Sequence, residues 1–138
     1  YYYEKFVDAR EKGGLDIYPH EDVKIAWVYK KTGLDARAAE FFNAFAEYCE
    51  KDPSIYKSAS TAVKYAYEGK FEKAIEQLEI FATQDNFQYW IVLFMELDPA
   101  MKPLKNHPEF DGVIQKIESR FWEKHDNLEK LLEEKGLI

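Results

Sequence analysis

Phe41, Phe42, Phe45 and Tyr48 recur at i, i+1, i+4 and i+7, and Phe71, Ala74, Ile75, Leu78 and Phe81 keep the same stripe. Only a period near 3.6 puts such residues on one side of a chain, so each run predicts an amphipathic helix with one face buried. Gly33 and Gly69 interrupt the pattern, and Asp52-Pro53 reads as a helix stop, with Pro53 or Ser54 opening the next helix. No stretch alternates apolar and polar residues with period 2. The predicted fold class is all-α.

Set against itself at an offset of 36 residues, the sequence matches Ala26 with Ala62, Tyr29 with Tyr65, Gly33 with Gly69 and Ala38 with Ala74. Glu40 also meets Glu76, Phe45 meets Phe81, Ala46 meets Ala82, and Arg37 meets Lys73. Small residues, large aromatics and one glycine are what an antiparallel helical hairpin requires. The glycine supplies a left-handed turn, the small residues allow close approach of backbones, and the aromatics fill the gap.

KYAYEGKFEKAIEQLEIFA, residues 64–82, resembles the tetratricopeptide repeat, with Tyr65, Gly69, Phe71, Ala74, Leu78 and Phe81 in that family's order. VYKKTGLDARAAEFFNAFAEY, residues 28–48, is a weaker copy with Tyr29, Gly33, Ala38, Phe42 and Phe45. It departs from the pattern at Asp35, where an aromatic is usual. The resemblance implies a short α-solenoid of stacked hairpins that binds a peptide or protein on the concave surface of its first helices. Carried onto this chain, that surface takes His20, Val23, Trp27, Lys30 and Lys31 from one hairpin and Tyr56, Ala59, Val63, Ala66 and Tyr67 from the next. Tyrosine, tryptophan and lysine there suit an acidic extended or helical peptide. Val23 and Trp27 stand where the family's carboxylate clamp would need polar residues, so recognition of chaperone tails is not implied.

The same offset aligns Tyr2, Phe6 and Ala9 with Ala38, Phe42 and Phe45. Residues 1–12 therefore read as the second helix of a truncated repeat, with exposed apolar surface, and EKGGLDIYP as a loop before a helix opened by His20, Glu21 or Asp22. At the other end, Asn86 is expected to cap a helix reaching residue 97. Asp98-Pro99 and Asn106 to Pro108 read as two further helix starts, since proline is tolerated in a first turn. They predict a short helix near 99–105, then one long helix from about Pro108 to Glu134 carrying Phe110, Val113, Ile114, Ile117, Phe121, Leu128, Leu131 and Leu132. A bend near Asp126-Asn127 and an end at Gly136 are expected. This closing part resembles the last segment of bacterial multi-repeat proteins, which often carry a signalling or DNA-binding module ahead of the repeats.

Composition narrows the function classes. Of 138 residues, 46% are hydrophobic and 17% aromatic, enough for a folded core. The net charge is −7 with no basic block, which argues against direct nucleic-acid binding. Phe87 to Leu97, the longest apolar stretch, is about half of what a membrane span needs. The lone Cys49 leaves no internal disulfide. A cytoplasmic setting is expected, and a periplasmic one is compatible. His20, His107 and His125 form no HExxH or His-x-x-x-His pair, the serines lack a glycine elbow, and the glycines form no phosphate loop. No catalytic, metal or cofactor residues are assigned, and an enzyme is not expected.

The expected organisation is one helical repeat domain over 1–138, with the truncated helix at 1–12, hairpins at 20–51 and 54–84, and cap helices at 86–138. The expected function is protein–protein interaction or scaffolding through a groove of His20, Trp27, Lys30, Lys31, Tyr56, Val63 and Tyr67. The alternative is a regulatory segment of a larger bacterial signalling or transcription-control protein, docked on an upstream part of its own chain. Self-association as a homodimer through the first helix is a further expectation.

Overall fold

A computed structural model of the chain describes residues 1–14 and 19–138. Among these residues every regular element is helical. They divide into two compact units, Tyr1–Asp52 and Pro53–Ile138.

The first unit contains α1 (Tyr2–Gly13), α2 (Pro19–Lys31) and α3 (Asp35–Lys51). Helix α2 is the first helix of a hairpin and α3 its second. Val23, Ile25, Ala26, Tyr29, Ala38, Phe41, Phe45 and Cys49 are buried. Of the loop expected over residues 11–19, Glu11 to Gly13 belong to α1 and Pro19 to α2, and residues 15–18 lie outside the described residues. Arg10 of α1 pairs with Asp22 in the first turn of α2 at 2.5 Å, a contact with both side chains largely out of water.

The second unit opens with the hairpin of α4 (Lys57–Glu68) and α5 (Phe71–Phe81). Helix α3 stops at Lys51 as Asp52-Pro53 predicts, but α4 begins three residues later than Ser54. The Ser54 hydroxyl instead accepts the Tyr56 N–H at 3.2 Å, holding a turn ahead of the helix.

The 36-residue repeat is visible in the backbone. Gly33 and Gly69 both have φ of 75°. The next residues, Leu34 and Lys70, both have φ of −93° with ψ of 59° and 67°, and each returns its N–H to the tyrosine carbonyl five residues back at 2.9 Å. This is a glycine-terminated helix end that leads straight into the next helix. An aromatic pair repeats as well: His20 meets Phe45 at 6.4 Å between ring centres, and Tyr56 meets Phe81 at 6.1 Å.

Beyond the hairpin the structure corrects two expectations. Asn86 does not cap a helix but takes a left-handed φ of 63°, which asparagine tolerates. The chain turns there so that Phe87 can pack on Phe81 and Phe121, and α6 covers only Trp90–Leu97. Asp98 acts as predicted, its carboxylate accepting the Ala100 N–H at 2.8 Å, and a 3-10 segment runs over Pro99–Asn106. The second proline start shifts. His107, restricted to an extended ψ of 132° by the following Pro108, receives the Glu109 N–H on Nδ1 at 3.3 Å. Helix α7 therefore begins at Phe110 and runs unbroken to Glu134. Met101 and Leu104 are fully buried, and Phe110 nearly so.

Only the first half of α7 is a core element. Phe110, Val113, Ile114 and Ile117 are buried, whereas Trp122, Leu128 and Leu131 are exposed, so the predicted apolar stripe continues past the core that uses it. Lys116 reaches Glu79 at 2.6 Å, and Arg120 and Lys124 reach Asp85 at 2.8 and 3.4 Å, tying α7 to α5 and the turn after it.

Candidate functional site

His20, Val23, Trp27 and Lys30–Lys31 lie at i, i+3, i+7 and i+10/11, along one side of α2. Val23 is buried, Trp27 half-buried, and both lysines exposed. The ammonium groups of Lys30 and Lys31 stand 5.7 and 5.9 Å from the centre of the Trp27 ring, at the outer edge of cation–π range. They occupy the last turn of α2, where positive charge also offsets the carbonyl end of the helix. The result is a positively charged aromatic surface on a protein whose net charge is −7.

His20 is exposed but lies edge-on to Tyr48 at 5.0 Å, and the Tyr48 hydroxyl is 3.2 Å from its Nε2. With the ring proton on Nδ1, Nε2 accepts from that hydroxyl, which is also 3.5 Å from Asp52. Partial desolvation against these rings holds the imidazole below its usual pKa. The Asp52 charge pulls the other way, followed by a smaller lowering from Lys24 and a raising from Glu21. His20 thus joins the start of α2 to α3 and keeps only part of its ring for solvent.

The equivalent positions on α4 are arranged differently. Tyr56 is half-buried, packing on Phe81 and on Trp90 at 5.5 Å, and its hydroxyl accepts the Gln88 N–H at 3.0 Å. Val63 and Tyr67, the register partners of Trp27 and Lys31, are 2% and 8% exposed. In this unit the 3-10 segment packs on α4, and the α4 positions that match Trp27 and Lys31 are closed to solvent. Of the seven predicted groove residues, His20, Trp27, Lys30 and Lys31 share one accessible stripe. Tyr56 sits in a separate aromatic cluster, and Val63 and Tyr67 belong to the core.

Two features were not predicted. A cleft of about 370 Å³ in the first unit is lined by Val7, Arg10, Glu11, Asp22, Glu40 and Phe41. Its charges pair internally: Arg10 with Asp22, and Arg37 with Glu11 and Glu40 at 3.2 and 2.8 Å. The sequence offered no signal for it, because Arg10 and Asp22 are joined only by the fold. The second is a cluster of Tyr89, Phe121, Trp122 and His125, with ring centres 4.9 to 6.3 Å apart, where the start of α6 meets α7. The adjacent Phe121-Trp122 pair is its sequence trace.

Other reactive groups are placed as follows. Cys49 is buried, forms no disulfide, and packs as a small apolar residue. Among the described residues, His125, Asp126 and Glu129 bring possible ligand atoms within 4.8 Å of one another, all three on the solvent side of α7. No such grouping was expected from the sequence. Among the described residues no helix is long and apolar enough to cross a membrane. Compared with known proteins, the chain matches no protein-family model, no curated protein and no solved structure.

Proposed function

We propose that this chain is a non-enzymatic peptide-binding module of tetratricopeptide-like hairpins, whose contact surface is the Trp27–Lys30–Lys31 side of α2. The observation that supports this reading is the pair of exposed ammonium groups beside a half-buried tryptophan. An acidic peptide bearing an apolar side chain would set carboxylates against the lysines and the apolar group against the indole. Burial of Trp27 contact area supplies affinity, while the lysines supply orientation and association rate. Val63 and Tyr67 are left out of the surface because both are buried.

The test uses a fluorescein-labelled dodecapeptide rich in aspartate and glutamate with interspersed leucine and tyrosine. Its anisotropy is followed on titration with the 138-residue chain. Saturable binding that weakens at higher salt is expected. Lys30→Glu combined with Lys31→Glu should weaken it at least about tenfold while the helical circular dichroism stays unchanged. Equal binding by the double variant would move the site off α2, and a binding-negative wild type would remove the proposal.

A further inference from the structure

On the exposed outer half of α7, His125, Asp126 and Glu129 stand at i, i+1 and i+4. Residues three and four apart are neighbours on a helix surface, so Glu129 faces both of the others and the three make one triangle. One nitrogen or oxygen from each lies within 4.8 Å of the other two. His125 Nδ1 is 3.6 Å from an Asp126 carboxylate oxygen. Two further features separate this triangle from an ordinary charged surface. The imidazole is seated against Trp122 and Phe121, at 5.4 and 6.3 Å between ring centres, so the ring is held before any ligand arrives. Glu129 has His125, Asp126, Leu132 and Glu133 as its helix neighbours, with carboxylates on both sides and neither lysine nor arginine among them. Earlier on α7 the charges are matched, Lys116 with Glu79 and both Arg120 and Lys124 with Asp85.

We propose that His125, Asp126 and Glu129 form a binding site for a transition-series divalent cation of the Zn²⁺ type. The donor set selects the class. One imidazole nitrogen with two carboxylate oxygens suits zinc, nickel or copper, whereas calcium takes six or more oxygens and magnesium keeps an octahedron of oxygens and water. Zinc bonds to such ligands are about 2.0–2.2 Å long, which sets tetrahedral donors about 3.4 Å apart. Small rotations of three exposed side chains reach that spacing from the 4.8 Å limit observed. The cation offsets the repulsion between Asp126 and Glu129, and the three chain ligands leave a fourth position to water. Because His125 and Glu129 are one turn apart, a bound ion bridges that turn. Opening the helix there breaks the site, so binding and local helix stability are linked.

The test titrates the full chain with zinc chloride in a non-coordinating buffer near neutral pH, followed by calorimetry. Saturable binding of one ion per chain is expected, with a dissociation constant below about 0.1 mM. His125→Ala and Glu129→Gln should each weaken it at least about tenfold, and His107→Ala should leave it unchanged. All three positions are exposed or half-buried, so unchanged circular dichroism serves as the folding control. Location is read separately with Cu²⁺ in a Trp27→Phe, Trp90→Phe background, where quenching of Trp122 should saturate and be lost on His125→Ala. At zinc ten times above its dissociation constant, amide exchange around Glu129 should slow about tenfold. Absence of saturable zinc binding below about 1 mM overturns the proposal, as does binding that survives His125→Ala or Glu129→Gln undiminished. Displacement of zinc by an equal concentration of calcium also overturns it, because the surface then attracts any divalent cation by charge alone.

Discussion

Replacing Arg10 by methionine breaks an ion pair that joins α1 to α2. The Asp22 side chain is 4% exposed and that of Arg10 15%, so the substitution keeps most of the buried volume and removes the countercharge of Asp22. Stripping one partner from a buried pair costs about 3–5 kcal/mol, because the remaining ion has lost water and gained nothing. Two features move the expectation to the lower end. Asp22 lies in the first turn of α2, where free N–H groups favour a carboxylate by about 0.3–1 kcal/mol. It also lines the cleft beside Val7 and Phe41, through which water can reach it. The expected loss is about 3 kcal/mol, a large part of a typical stability of about 5–15 kcal/mol. Asp22→Leu added to Arg10→Met should recover most of it, since neither ion then remains buried. The measurement is urea unfolding followed by Trp27 fluorescence in a Trp90→Phe, Trp122→Phe background, which reports the first unit alone. A loss near 3 kcal/mol shifts the midpoint by about 1–3 M. The reasoning fails if Arg10→Met stays within about 0.5 kcal/mol of wild type, or if the double variant loses the sum of both single losses.

Three further outcomes are expected. Ala74→Glu places a carboxylate at a fully buried hairpin position and should cost several kcal/mol, unfolding the second unit; an unchanged melting curve would contradict the packing. Gly33→Ala and Gly69→Ala should each cost about 1 kcal/mol, and equally. Both sites have φ of 75° and open space around an added Cβ, so the penalty is conformational alone; a larger loss at one would show that the two turns differ. His20 favours its neutral form in the fold, so the folded chain binds fewer protons than the unfolded one between the lowered pKa and 6.5. Its contribution is complete above pH 6.5 and is lost as pH falls through that window. His20→Gln should remove this part of the stability–pH slope, seen as the difference between the two proteins' unfolding midpoints from pH 7 to 5.

The hairpins could be read from the sequence because their determinants are local. Residues three and four apart must share a helix face, and Gly33 and Gly69 sit where a left-handed turn costs any other residue energy. Asp98 was equally readable, since a cap acts on an N–H two residues away. The errors fell where a distant contact outweighed a local preference. Asn86 has the chemistry of a cap, but burial of Phe87 between Phe81 and Phe121 turned the chain there. At His107, two prolines suggested a helix start, and the restriction that Pro108 places on its predecessor delayed that start to Phe110.

The candidate surface shows the same division. Sequence alone determined that His20, Trp27, Lys30 and Lys31 share a stripe, because helical periodicity is a property of the chain itself. It also determined that Val63 and Tyr67 fall in the same register on α4. Whether such a stripe meets water depends on what lies across from it, and periodicity carries no information about that. Only the tertiary structure decided that a 3-10 segment from residues 99–106 packs on α4 while the lysine end of α2 remains exposed. The same holds for Phe6, Phe45 and Phe81. Each falls on an apolar helix stripe, but burial is a relation between elements, and the structure covers Phe45 and Phe81 while Phe6 stays 41% exposed.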